Sequence, residues 1–330
     1  MVGKLGRLGL AVSALLAIAP LVTAAGAQAG PRKAPDLTGL WTTASLTDLE
    51  RPDDFKTLAI TEAEAAKFEK AHRGKVPDIG DKDNPVGGPE SEWWETDVGL
   101  ARIRGQIRSS WIVSPADGKR PFNAAAKAAR KTQRERNKLP PSDPEVRDID
   151  ERCLGMGAGA PLSNGGLNDN LQIVQAGDTL AIETEWMHDV RVVRIGDARH
   201  VPAHPPMGIR LAGGDSIARW DGDTLVIETT NFSAFEVNAP DGDRNADMRI
   251  VERLTRLSPT EILYGFSVTN PARFTQTWQG EMVLHASKGP IYEYACHEGN
   301  YALPDMLSGA RSLERAAAQA APVKTATAAR

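Results

Sequence analysis

Cysteine, histidine and tyrosine are scarce in this chain: two, six and four respectively among 330 residues. The two cysteines, Cys153 and Cys296, are far apart and neither belongs to a C-x-x-C pair, which excludes a thiolate zinc module and a thioredoxin-type redox motif. No G-x-S-x-G elbow, no P-loop and no G-x-G-x-x-G between a strand and a helix is present. The run "GMGAGAP" at 155–161 has neither the spacing nor the setting of a dinucleotide site, so no cofactor is expected. An excess of positive charge is also missing. The net charge is −4, and −6 once Lys4 and Arg7 leave with the leader described below. A mildly acidic chain without a concentrated basic patch is not built for nucleic acid, and its one basic run, "KAARKTQRER" at 127–136, reads as a solvated helix face.

Long apolar runs are limited to one, Leu8 to Val22, which contains Pro20 and falls short of the roughly 20 residues a membrane span needs. It follows Lys4 and Arg7 and precedes the small-residue site Ala27-Gln28-Ala29. Residues 1–29 are therefore predicted to be a secretory signal peptide rather than a retained anchor. No cysteine follows the run, so no lipid anchor is expected there. The expected mature protein has no membrane span and is periplasmic or secreted. In an oxidising compartment an even cysteine count favours one disulfide, Cys153 to Cys296, with two buried free thiols or a reactive thiol as the alternatives. A chain-entropy model assigns a bond across so long a loop roughly 5 kcal/mol.

Hydrophobic periodicity then organises the chain. Residues 30–152 read as a mixed region: a short strand in "DLTGLWTTA", a helix from Thr61 with a capping box to Glu64, and a loop in "DIGDKDNPVGGPE". A further strand is expected in "LARIRGQIRSSWIV", with Ile103, Ile107 and Trp111 on one face and Arg102, Arg104 and Arg108 on the other, ended by "SPADGK". A second helix over "NAAAKAARKTQRERN" is stopped by Pro140 and Pro141. Residues 153–311 read as the barrel domain, with about nine short β-branched runs between Asn170 and His297 joined by turns containing "AGD", "DGD" and "SPT". The predicted fold is mainly β, an antiparallel meander closed as a lipocalin-like (calycin-like) barrel, with a β-sandwich as the alternative. The Ala-rich tail 312–330 is expected to be disordered, or at most a frayed helix.

Parity along "TLAIETEWMHDVRVVRI" places Ile182, Thr184, Trp186, His188, Val190 and Val192 on one mostly apolar face. An unbroken strand would turn His188 inward as a core histidine or an acid–base group. A bulge near Met187 would reverse that parity. In the run "IYEYACHEGNY" at 291–301, Ile291 to Cys296 reads as the last barrel strand, and His297-Glu298 resembles the start of H-E-x-x-H, but Tyr301 stands where the second histidine belongs. His188, His297, Asp189 and Glu298 could hold a metal if their strands were neighbours; with histidines this scattered, none is expected. Arg102, Arg104, Arg108, Arg191, Arg219, Arg249 and Arg253 could anchor an anion, although pairing with strand glutamates is the commoner use.

Set side by side, "HDVRVV", "RWDGDTLVIETTNF", "VERLTR" and "IYEYACHEGNYALPDMLSGAR" resemble a family of secreted bacterial hypothetical proteins marked by a C-terminal YEYACHEGNY motif. The likeness covers about residues 171–311, with weaker echoes in "DLTGLW" and "IVSPADGKRP". It implies export and a β-rich fold and leaves the reaction open. It also places His188, Asp189, Trp220, Asp221, His297, Glu298, Asn300 and Tyr301 inside the family's motifs. The expected function is an exported small-molecule enzyme with a barrel pocket and metal-independent acid–base chemistry: a lyase, isomerase or hydrolase acting on a partly apolar substrate, aromatic ones included. Its catalytic groups are expected to be His188, His297 and Glu298, with Trp186, Asp189, Arg191, Trp220, Asp221, Asn300 and Tyr301 binding the substrate. The alternative is a noncatalytic periplasmic binder of a hydrophobic ligand, and a third reading is an envelope protein whose partner is another protein.

Overall fold

The computed structural model describes residues 34–73, 98–138, 142–147, 149, 151–155, 157–165, 168–197, 200, 202–233 and 247–320. The expected leader, the loop at 78–90 and the prolines Pro140 and Pro141 lie outside them. In chain order the elements are β1 (Gly39–Thr42), β2 (Ala59–Ile60), α1 (Glu62–His72), β3 (Arg102–Ile103), β4 (Gln106–Arg108), β5 (Ile112–Ser114) and α2 (Ala124–Asn137). The second half continues with β6 (Asn170–Ala176), β7 (Thr179–Thr184), β8 (Asp189–Gly196), β9 (Asp215–Asp221), β10 (Thr224–Thr230), β11 (Arg249–Ser258), β12 (Glu261–Thr269), β13 (Trp278–Ala286) and α3 (Ala302–Ala320).

The turn chemistry read from the sequence builds the hairpins. Gly177 and Gly222 sit at φ 59° and 60°, in the left-handed region where a side chain is strained, and let β6–β7 and β9–β10 reverse tightly. The main sheet runs β1-β6-β7-β8-β9-β10-β11-β12-β13 and closes because β13 also pairs with β1, Trp41 opposite Ala286. This is a mainly β fold with a closed barrel, in keeping with the calycin-like expectation, and the sandwich alternative falls away. Among the described residues, no helix is long and apolar enough to cross a membrane.

Three expectations are corrected. The barrel is mixed rather than a pure meander: β8 and β9 run parallel, Val193 opposite Ser216, joined by residues 197–214. Its wall does not begin after Cys153, because β1 is a staves-width member between β6 and β13, and β5 adds to β13. The stretch 102–114 is not one strand. Arg104 and Gly105 both take positive φ, 51° and 78°, and fold it into the β3–β4 hairpin, which with β2 makes a small second sheet. Ile103 and Ile107 remain buried, while Arg108, expected on a basic outer face, is also buried and reaches Glu281 at 3.0 Å.

The helices follow their caps. The Glu64 N–H donates to Thr61 Oγ1 and the Thr61 N–H to Glu64 Oε2, the expected capping box of α1. Asn123 Oδ1 caps α2 by accepting from the Ala126 N–H. The described part of the C-terminal tail takes the helical alternative. α3 runs to Ala320, with Leu303, Met306, Leu307 and Ala310 shielded on one face at helical spacing and every residue from Arg311 to Ala320 exposed.

Inside the barrel, alternate positions of each strand point inward and fill it. Ile173, Leu180, Ile182, Val193, Leu225, Ile227, Ile250, Leu254, Ile262 and Leu284 are all 0% exposed. A void wide enough for water would leave such walls accessible, so the lumen is packed with the chain's own side chains. One charged pair lies within it. Arg191 on β8 meets Glu252 on β11 through two hydrogen bonds, Nη1 to Oε2 at 2.6 Å and Nη2 to Oε1 at 2.8 Å. The Tyr264 hydroxyl donates to Glu252 Oε1 at 2.7 Å and accepts from the Leu162 N–H at 2.8 Å. Residues 157–165 therefore reach into the barrel mouth and are held there from inside.

Burial works against the Arg191 charge, but the Glu252 carboxylate outweighs it and keeps the guanidinium above its ordinary value. Burial, reinforced by the Glu252 charge, pushes the Tyr264 phenol well above its usual range, so it stays a donor at every physiological pH. Glu252→Gln keeps the shape and removes the charge, leaving Arg191 buried without its counterion; the expected loss is about 3–5 kcal/mol in urea unfolding. Tyr264→Phe strands the Leu162 N–H and is expected to lose about 1–3 kcal/mol.

Candidate functional site

The barrel mouth, where β7 ends and β8 begins, is where the candidate residues gather. The sequence "EWMHD" between those strands contains neither glycine nor proline, yet it reverses the chain: Thr184 lies opposite Asp189. Met187 and His188 supply the reversal by taking positive φ, 62° and 48°. The long strand is therefore two strands, and parity changes between them. Val190 and Val192 are 49% and 58% exposed, whereas Arg191 and Val193 are buried. His188 is thereby removed from the inner face where parity alone had placed it. Its side chain is 44% exposed, with Nε2 3.4 Å from Glu183 Oε1.

The same turn buries Glu185 and turns Trp186 onto the wall of a cavity of about 320 Å³. The Asn168 side-chain N–H donates to Glu185 Oε1 at 2.8 Å and that of Asn170 to Oε2 at 2.9 Å. Ser287 Oγ in turn donates to Asn170 Oδ1 at 2.8 Å. Asp169, also buried, accepts the Gly165 N–H on Oδ1 at 2.7 Å. Thr184 Oγ1 donates to the Trp186 carbonyl at 3.0 Å, which fixes the turn. Gly157 passes so close to it that a Cβ there would sit 2.0 Å from the Trp186 carbonyl oxygen and 2.5 Å from Thr184 Oγ1. Gly157, Asn168, Asp169, Asn170, Thr184 and Trp186 all line this cavity.

A second cavity, about 310 Å³, lies across the Trp186–Tyr294 ring pair, whose centroids are 5.1 Å apart. Met187, Tyr294, Cys153, Cys296, His297 and Glu298 line it. Cys153 and Cys296 are bonded to each other, with Cα atoms 5.7 Å apart, so the disulfide is the pairing that holds. Residues 291–296, expected as the last barrel strand, make no ladder; β13 ends at Ala286 and the segment returns to the mouth, tied there by the disulfide. Asn300 adds a second tie, its side-chain N–H donating to the Glu151 carbonyl at 3.2 Å. His297 and Glu298 are exposed at the lip, and Tyr301 is 74% exposed at the start of α3.

The remaining candidates do not converge here. Trp220 and Asp221 end β9, which runs parallel to β8, so they stand at the opposite end of the barrel from Asp189. Trp220 packs against the core, and Asp221 is 3.7 Å from Arg253. Arg191 serves the internal ion pair, and Asp189 accepts the Ala158 N–H at 3.3 Å while its charge supports Arg191. Arg102, Arg108 and Arg249 are likewise paired, with Glu62, Glu281 and Glu228. Among the described residues, no three of His, Cys, Asp and Glu come together as a metal site. Glu185, Asn168, Asp169 and Asn170 were missed by sequence reasoning. The signal available was the polar run "NDN" immediately before a strand, which reads as a turn unless its partner, a buried glutamate 15 residues away, is known.

Gly157→Ala forces the mouth segment off the Trp186 turn and is expected to lose about 1–3 kcal/mol in thermal or urea unfolding. Paired Cys153→Ala and Cys296→Ala is expected to lose up to about 5 kcal/mol, while a thiol assay on the unreduced, unfolded wild type detects no free thiol. Models of protein families, curated proteins and solved structures gave no match to this chain.

Proposed function

We propose that this is an exported protein that takes a small molecule into the Trp186 cavity at the barrel mouth, with the packed barrel as rigid support. The observation that carries this reading is the wall itself. One aromatic face stands beside Asn168 and Asn170, whose side chains are already set by hydrogen bonds to the buried Glu185, and beside Asp169, set by the Gly165 N–H, and such preorganisation lowers the ordering cost of binding. The filled lumen argues against a carrier that swallows a hydrophobic ligand into the barrel. Export is supported by the leader-like first residues and by the Cys153–Cys296 bond, which persists in oxidising compartments.

A catalytic reading is favoured by one further observation: His297 and Glu298 line the adjoining cavity, across a single ring pair from Trp186. There His297 would serve as acid or base and Glu298 as its partner in a lyase, isomerase or hydrolase reaction. A ligand-observed NMR screen of a metabolite mixture tests the site. Hits are expected that weaken at least about tenfold in a folded Trp186→Ala variant; hits indifferent to that change overturn the assignment. In the same mixture, turnover is expected to fall about 10²-fold or more in His297→Ala, and equal turnover by both proteins removes the histidine from the mechanism.

A further inference from the structure

The wall of the Trp186 cavity has a sign. Among the described residues that line it, the one charged side chain is the carboxylate of Asp169, 5% exposed, and the Glu185 carboxylate, 4% exposed, lies directly behind. Neither lysine nor arginine nor histidine is among those lining residues. The polar groups reinforce the sign by the way their hydrogens are committed. Asn168 commits one amide N–H to Glu185. Asn170 commits one N–H to the other carboxylate oxygen, while its own Oδ1 accepts from Ser287. Thr184 gives its hydroxyl hydrogen to the Trp186 carbonyl, and Thr43 directs its own toward the Ser163 and Asp169 carbonyls. With these hydrogens committed, the charge that faces a guest is the negative field of Asp169 and Glu185.

Low exposure matters to the size of that field. Two carboxylates largely screened from water act on a guest through a medium of low effective dielectric, where salt attenuates them little. The indole of Trp186 adds the negative face of its ring, the aromatic surface that attracts cations most strongly. Its orientation is held by the Tyr294 ring packed against it at 5.1 Å. An anion at this place would meet two like charges and, among the described lining residues, no lysine, arginine or histidine. A neutral apolar guest would displace water from this charged wall without replacing its solvation, at a cost.

We infer that the mouth cavity takes a small organic cation, an alkylammonium or quaternary ammonium whose charge sits against Trp186 under the field of Asp169 and Glu185. This rests on the reading of the cavity as a binding site and adds the chemical class of its occupant. It also reverses the expectation that arginines would anchor an anionic group, since the arginines named for that role are paired elsewhere or do not line the cavity.

The test titrates choline, its neutral isostere 3,3-dimethyl-1-butanol, and acetate into the full-length, disulfide-bonded protein, read by ligand-observed NMR and tryptophan fluorescence. Choline is expected to bind about tenfold or more tighter than the isostere, the scale of one cation–π contact plus a nearby charge, and acetate is expected not to bind. Asp169→Asn keeps Oδ1 as acceptor for the Gly165 N–H and is expected to weaken choline about tenfold with the isostere unchanged. Trp186→Leu, at a less buried position, supplies the same choline-specific loss where Asp169→Asn fails to fold. An isostere that binds as tightly as choline, or acetate that binds at all, overturns the cation inference and leaves the cavity as a binding site. Should none of the three bind while the metabolite screen yields Trp186-dependent hits, none of them cationic, the cation inference falls alone. A screen without any Trp186-dependent hit removes the site itself.

Discussion

The Arg191–Glu252 pair, sealed in the barrel with the Tyr264 hydroxyl, is the constraint on which the mouth depends. Two charges inside an apolar lumen are a poor source of net stability, since hydrophobic residues of similar volume commonly replace such pairs without loss. Their effect here is positional. Glu252 holds Tyr264, and Tyr264 holds the Leu162 N–H, so a segment outside the barrel is fastened to its centre. Asp189 extends the same arrangement, accepting from Ala158 on that segment while its charge supports Arg191. Residues 157–165 therefore form one wall of the Trp186 cavity because of a contact buried well below it.

A second restraint closes the mouth from the other side. β13 ends at Ala286, and the chain then returns along the rim without strand pairing until the disulfide and Asn300 fix it beside Cys153. Between the two restraints stand Trp186 and Tyr294, one ring from each side. The cavities on either flank are thus features of one assembly: a rigid barrel, a segment pinned from within, and a segment stapled from without.

Much of this was legible wherever a local rule acted alone. Gly177 and Gly222 announced their hairpins because few other residues take that backbone conformation cheaply, and the Thr61–Glu64 box announced α1. Two cysteines in a chain read as exported announced their own bond. What was hidden depended on distant partners. β1 is four residues long, and its place in the barrel follows only from its neighbours β6 and β13. The β7–β8 reversal uses Met187 and His188 in a left-handed conformation, without the glycine, proline or asparagine that marks a turn. Parity in an unbroken strand turns His188 inward; the break falls at Met187, the step named as able to reverse that parity, and it turns His188 out and Arg191 in. The polar wall of the cavity was illegible for a similar reason: Asn168, Asp169 and Asn170 become a site only when Glu185 is buried against them.

The central claim is that the mouth segment is held from inside the barrel, and the exchange rate of the Leu162 amide measures it most directly. That hydrogen points at the Tyr264 oxygen in a fully buried setting, so native-state hydrogen exchange is expected to show it opening only with the barrel, at a free energy close to that of global unfolding. In Tyr264→Phe it should exchange far faster than the neighbouring strand amides, which keep their protection. A Leu162 amide that exchanges rapidly in the wild-type protein, while the strands remain protected, would contradict the account.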